Sequence, residues 1–212
     1  MLGRFYLEVT FRGWLPFDKI SRPSWIRFPL LYASCSRDEQ IKDQIEVLNR
    51  DYTGTGLTFK LVNTTRTRNR KWFENVAPAT PEQEEMKKKL RCGGPNALNV
   101  FSVSFDNKNT SDFLGYATLP SGYDDNPKDD GVVVRYSTLP GGIHAPTNLG
   151  RTLTHETGHW VGLYHTFEGG CEGKGDYVSD TPPEADAAHG CPAGRRTCGS
   201  KGLDRKLDPN LT

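Results

Sequence analysis

The stretch His155-Glu156-Thr157-Gly158-His159-Trp160-Val161-Gly162-Leu163-Tyr164-His165 reads HExxHxxGxxH, and each fixed position has its own duty around one metal ion. His155 and His159 are four apart, so a helix puts them on one face, able to grip one cation. Glu156 follows the first of them, where a carboxylate can reach a metal-bound water. Gly162 can adopt a positive φ, which ends a helix and turns the chain back. That turn could bring in His165 as a third nitrogen ligand. Three imidazoles with one open position suit a catalytic zinc better than a structural one. Glu156 would then take a proton from the water and later hand it on. A lone helical histidine is usually a packed or surface residue, but these are three of only five histidines in the chain.

The chain has 212 residues, enough for one domain with a substantial core or one domain with two lobes. Its 27 basic and 26 acidic residues leave a net charge of +1, which gives no reason to expect nucleic acid or an anionic membrane. It has no apolar run of roughly 18 residues, so no membrane span is expected. With 22 glycines and 14 prolines the chain reads as loop-rich and globular. Five cysteines is an odd number. Cys171, Cys191 and Cys198 lie in one glycine-rich stretch after the motif, whereas Cys35 and Cys92 are isolated. The cluster suits disulfide staples of an exported protein, with buried free thiols as the alternative. Sequons at Asn63, Asn109 and Asn210 would permit glycosylation on export. Residues 1–17 do not read as a signal peptide, because Arg4, Glu8 and Arg12 interrupt any apolar core.

Periodicity supplies the elements. Phe5 to Phe11 can form a strand. Asp38 can cap a helix reaching about Tyr52, with Ile41, Ile45, Val47 and Leu48 as its apolar stripe. Leu57 to Val62 alternates like a strand with one wet face. The basic segment 64–71 reads as a solvated edge. A short helix over Pro81–Leu90 has Thr80 at its cap and Pro81 at its first position. Leu98–Val103 reads as a buried strand, Leu114–Leu119 as an edge strand and Gly131–Tyr136 as a third. Asn148 or Thr152 precedes the helix bearing His155 and His159. Little regular structure is expected after Glu168.

Taken together, HETGHWVGLYHTF (155–167), Gly170-Cys171, Gly175-Asp176, Asp180-Thr181-Pro182, Gly190-Cys191-Pro192 and Thr197-Cys198 resemble the metzincin zinc endopeptidases. More narrowly the chain is similar to the pappalysin branch and its fungal extracellular metalloproteases, a likeness shared by Asp51–Gly56, Leu98–Val100, Leu114–Thr118 and Leu139–Gly142. The resemblance covers about Gln40 to Leu203. It implies an α/β (α+β) fold: a metzincin-like twisted mixed sheet with two main helices and an irregular C-terminal lobe, incomplete. It implies zinc on His155, His159 and His165, with Glu156 as the catalytic general base and acid of an endopeptidase acting on proteins or peptides. The substrate would lie antiparallel to the edge strand at Gly115, Tyr116 and Ala117, unless that is an ordinary edge. Calcium would be bound by Asp176, the carbonyl of Val178 and Thr181, unless that loop is simply solvated. Cys171 would pair with Cys198, and Cys191 with a cysteine beyond the Met-turn. The resemblance also implies secretion. The expected partners are protein or peptide substrates, with no nucleic acid and no membrane, and the chain is expected to be a monomer.

The chain departs from the resemblance in two places: residues 1–37 do not read like the family's first strand preceded by a signal, and the Met-turn is missing. The only methionines are Met1 and Met86, so no Met-turn follows His165. The expected organisation is a non-family segment over 1–37, a metzincin-like catalytic domain lacking the Met-turn over 38–204, and a non-family tail over 205–212. A gene-model or splice artefact at both ends would account for the missing signal, the odd cysteine and the missing turn. The rival readings are an inactive zinc-binding fragment or pseudoenzyme, and an interaction domain without metal. The intact motif argues against the second.

Overall fold

The structure is a computed structural model that describes residues 2–11, 37–190 and 192–199. Its main elements run β1 (Leu2–Phe11), α1 (Asp38–Asp51), β2 (Leu57–Thr67), α2 (Arg70–Asn75), α3 (Pro81–Leu90), β3 (Ala97–Val103), β4 (Gly115–Ala117), β5 (Val132–Arg135) and α4 (Arg151–Trp160). The five strands form one mixed sheet in the order β2-β1-β3-β5-β4. The β3–β5 pair is parallel and the others are antiparallel. This is the mixed α/β arrangement expected from the sequence, with α1 and α4 packed on each other and α2 and α3 besides.

Every residue of β3 and β5 is buried, as happens when helices cover both faces of a strand. One face carries Leu2, Phe101, Val103 and Val133 against Trp72, Val76 and Met86 of the α2–α3 region. The alternate residues Phe5, Leu7, Leu98, Val100, Val132 and Val134 are also buried and by strand alternation face the other side. There α1 packs on β2 and α4 packs on β4, β5 and α1.

Local chemistry explains most boundaries. Thr80 caps α3 by accepting from the Gln83 N–H, and Pro81 opens the helix, as the sequence indicates. α1 begins at Asp38 rather than after it. The Gln40 side chain reaches back to the Arg37 N–H at 3.1 Å, which leaves Asp38 to complement the helix dipole in the first turn. β2 runs to Thr67, beyond the expected Val62, because β1 supplies a partner all the way to the Leu2–Thr67 pair. Part of the supposed solvated segment is α2. The Asn69 side chain accepts from the Trp72 N–H at 3.1 Å, and Trp72 is buried. The β1 strand begins at Leu2, ahead of the expected Phe5.

A buried ion pair ties three of these elements together. Arg91, just past α3, donates to Asp130 Oδ2 at 2.9 Å, and the two side chains are only 4% and 6% exposed. The Trp160 Nε1–H at the end of α4 donates to Asp130 Oδ1 at 2.8 Å, and the Thr118 hydroxyl donates to the same oxygen at 3.3 Å.

Residues Val161–Thr212 form a second compact unit. Its described part is irregular apart from a 3₁₀ turn over Gly170–Glu172. Cys171 and Cys198 are joined by a disulfide with Cα atoms 5.2 Å apart. Cys35 and Cys191 lie outside the described residues. Cys92 is an exposed free cysteine. Buried Glu184 holds Arg195 at 2.8 Å, and Arg195 also pairs with Asp186.

Asp130→Ala strands the Arg91 guanidinium in a buried site and removes the acceptor of Trp160. The expected loss is about 3–5 kcal/mol in denaturant unfolding. An exposed control such as Asp124→Ala should stay within about 0.5 kcal/mol of the parent.

Candidate functional site

α4 is anchored at both ends by buried carboxylates. At its start Arg151 pairs with Asp51, and the Thr154 hydroxyl donates to Asp51 Oδ2 at 2.6 Å. The Tyr52 hydroxyl donates to the Thr154 carbonyl at 3.1 Å. Gly150, just before the helix, has φ +81°, and its carbonyl accepts from the Gln44 amide at 2.9 Å. At its end Trp160 is held by Asp130. Gly162 then has φ +105°, the left-handed conformation expected of it.

The helical spacing sorts the motif onto two faces. Leu153, Glu156, Thr157 and Trp160 are buried, whereas His155 is exposed and His159 half-buried. The two rings meet edge to face with centroids 4.7 Å apart, and their Nε2 atoms are 3.1 Å apart. Two nitrogens about 2.05 Å from a tetrahedral zinc would stand about 3.3 Å apart, so the pair fits that ion closely. His165 belongs to the second unit, five residues past the end of α4. Its ring stacks on Phe167 with centroids 4.6 Å apart. The neighbouring Thr166 carbonyl is held by the Glu184 N–H at 3.1 Å.

Glu156 is 7% exposed, and burial pushes its carboxyl up to about 8. Desolvation disfavours the carboxylate, and a nearby cation would favour it again. The Glu156 side chain lies against β4. A Cβ placed on Gly115 would stand 2.8 Å from Glu156 Cγ and 3.1 Å from its Oε1.

Among the described residues β4 bonds only to β5, and its other side is an open edge of the sheet. Arg135 donates its N–H to the Leu114 carbonyl at 2.7 Å, and Thr118 donates to the Gly131 carbonyl at 3.1 Å. In an antiparallel ladder, residues bonded to the partner alternate with residues facing away. Leu114, Tyr116 and Thr118 therefore turn their backbone groups to β5, and Gly115 and Ala117 turn theirs to the open edge. The three expected substrate residues thus divide. The Tyr116 side chain lies on the opposite face beside Phe105, with the Lys87 ammonium 5.7 Å from its ring centroid. Burial raises its phenol pKa.

The three residues expected for calcium share one loop of the second unit. Asp176 Oδ1 accepts from the Val178 N–H at 3.0 Å, and the Val178 carbonyl accepts from the Thr181 N–H at 3.2 Å. The Thr181 hydroxyl donates to Asp180 at 3.4 Å. The residues that sequence reading missed are Asp51 and Asp130, which hold α4 without touching the motif's face. Their one signal was position: a carboxylate at a helix end and another just before a buried strand.

Comparison with known proteins agrees with this geometry. Residues 95–205 match the peptidase M43 family model described as pregnancy-associated plasma protein-A. The chain is 45% identical over 170 residues to extracellular metalloprotease 1 of Coccidioides posadasii, covering 79% of this chain and 58% of that protein. It is 46% identical over 173 residues to an extracellular metalloprotease of Verticillium alfalfae, with the same coverage. The chain therefore spans a little over half the length of these relatives. Among solved structures, mature mirolysin of Tannerella forsythia in complex with a cleaved peptide superposes with a TM-score of 0.56 at 26% identity. That match covers 79% of this chain and 74% of mirolysin.

The disulfide closes a loop with a sequence separation of 27. Chain-entropy reasoning for a loop of that length gives about 3.6 kcal/mol of stabilisation. Mild reduction should therefore raise hydrogen exchange through residues 166–190 while leaving the amides of β3 and β5 protected, as read by exchange mass spectrometry.

Proposed function

This chain belongs to the pregnancy-associated plasma protein-A family of M43 peptidases, and we propose that it is a zinc-dependent endopeptidase that hydrolyses peptide bonds in proteins. The observation that carries the reading is the imidazole pair on the outward face of α4, with the next side chain along, Glu156, turned inward against an open sheet edge.

His155 and His159 offer Nε2 atoms at a separation that suits zinc, and His165 is the proposed third ligand. Neutral imidazoles leave the ion its full charge, which suits a catalytic rather than a structural site. When bound, zinc supplies a positive charge that acidifies water and polarises a carbonyl. Glu156 then accepts the proton of the attacking water on a carboxylate oxygen and returns it to the amine nitrogen as the peptide C–N bond breaks. Its buried setting keeps that proton from bulk water. The backbone groups of Gly115 and Ala117 hold the peptide extended along the β4 edge, beside Glu156. Mature mirolysin was solved in complex with a cleaved peptide, in keeping with a peptide as the bound partner. The names of the relatives support secretion as the setting, which also suits the Cys171–Cys198 disulfide. No described helix is long and apolar enough to cross a membrane. A calcium role for Asp176, Val178 and Thr181 rests on the family resemblance and on the hard oxygens of that loop.

Cleavage of a quenched peptide should stop on chelation and return on adding zinc. Glu156→Ala should retain zinc and lose activity by roughly a hundred- to ten-thousand-fold. A chain that takes up zinc stoichiometrically yet cleaves no peptide or denatured protein would be a zinc-binding protein only.

The edge reading has its own test. Ala117→Pro removes an N–H that faces the open side, so β4 should stay paired with β5. Losing one net hydrogen bond to the peptide, about 0.5–1.5 kcal/mol, should raise KM between about twofold and tenfold. An unchanged KM would show that the peptide does not pair with this edge.

A further inference from the structure

We propose that Gly115 is a positioning residue for Glu156: the side chain missing at position 115 is the space in which the glutamate is seated. The inference rests on the endopeptidase reading and deepens it by naming what holds the general base in place.

The backbone does not require glycine here. Gly115 is absent from the glycines with positive φ, so its conformation is open to any L-residue. It sits in a strand, where glycine is ordinarily destabilising relative to alanine. What glycine provides is clearance. A Cβ at this position would lie 2.8 Å from Glu156 Cγ, 3.1 Å from Glu156 Oε1 and 3.0 Å from the Val133 carbonyl oxygen. Val133 belongs to β5, which is paired on both sides and cannot retreat. Glu156 is the neighbour that must move. Ordinary contact begins at 3.4 Å, so Cγ would shift by about 0.6 Å. α4 itself is pinned at Asp51 and Asp130, so the shift falls on the side chain. Misplacing a reacting group by about 1 Å can cost on the order of a hundredfold in rate.

The test compares Gly115→Ala in two backgrounds, the parent chain and Glu156→Ala. In the parent, Gly115→Ala is expected to keep full zinc content, lower kcat on the order of a hundredfold and leave KM within about threefold. A general weakening of the strand would not divide kcat from KM in this way. Thermal unfolding supplies a readout independent of activity. Gly115→Ala should lower the Tm of the parent but leave unchanged or raise that of Glu156→Ala, where the new methyl fills the vacated space. If Gly115→Ala fails to fold in the parent but folds in the Glu156→Ala background, the proposal is supported. Failure to fold in both would place the clash at the Val133 carbonyl and overturn it, as would equal Tm shifts in both backgrounds or an unchanged kcat. If the parent cleaves no peptide, the endopeptidase reading falls, and the Tm comparison still decides the seat.

Discussion

The site depends on two buried aspartates that grip one short helix. Asp51 takes Arg151 and Thr154 at the start of α4, and Asp130 takes Trp160 at its end. A ten-residue helix is marginal by itself in water, and α4 carries an exposed histidine and a glycine that do not favour it. Tertiary anchors therefore have to supply its rigidity. Both carboxylates are themselves neutralised, by Arg151 and by Arg91. A buried charge without its partner would cost more than the anchor contributes. The arrangement fixes the axial position and rotation of α4, and hence which side chains look outward.

Rotation is what gives neighbouring motif residues opposite environments. His155 and Glu156 are adjacent in sequence but about 100° apart around the helix. One is exposed, and the other is buried against β4. Burial that would be a liability for an isolated carboxylate becomes useful beside a cation, because each compensates the other. The same rotation brings the glutamate against β4, an edge strand of the described sheet. The proposed base and the proposed peptide edge thus meet in a single helix–strand contact.

Much of this was legible in the sequence, and for identifiable reasons. The HExxH spacing, the positive-φ glycine at 162 and the Thr80–Pro81 helix start are local signals, each contained within a few residues. β3 and β5 were legible because buried central strands are almost wholly apolar. What escaped was set by distant partners. β2 runs past Val62 because β1 lies alongside it, and nothing within residues 63–67 says so. α2 was hidden by its basic residues, although Asn69 and Trp72 carried the cap and the anchor. The roles of Asp51 and Asp130 needed contacts across about 100 and 30 residues of chain. The division of Gly115, Tyr116 and Ala117 needed the register of β4 on β5. A pattern of alternating residues gives two faces but not which backbone groups are left unpaired.

The place of β1 has a consequence for how the molecule acquires this form. It lies between β2 and β3, so the two later strands never pair with each other. The Ser102 hydroxyl bonds to the Gly3 carbonyl across 99 residues. Closing such a loop spends chain entropy before any pairing returns it, and topologies rich in distant contacts fold slowly. Until β1 is seated, the inner edges of β2 and β3 are both open templates for a strand from another chain. Slow refolding and a concentration-dependent yield are therefore built into the strand order, separately from how stable the finished protein is.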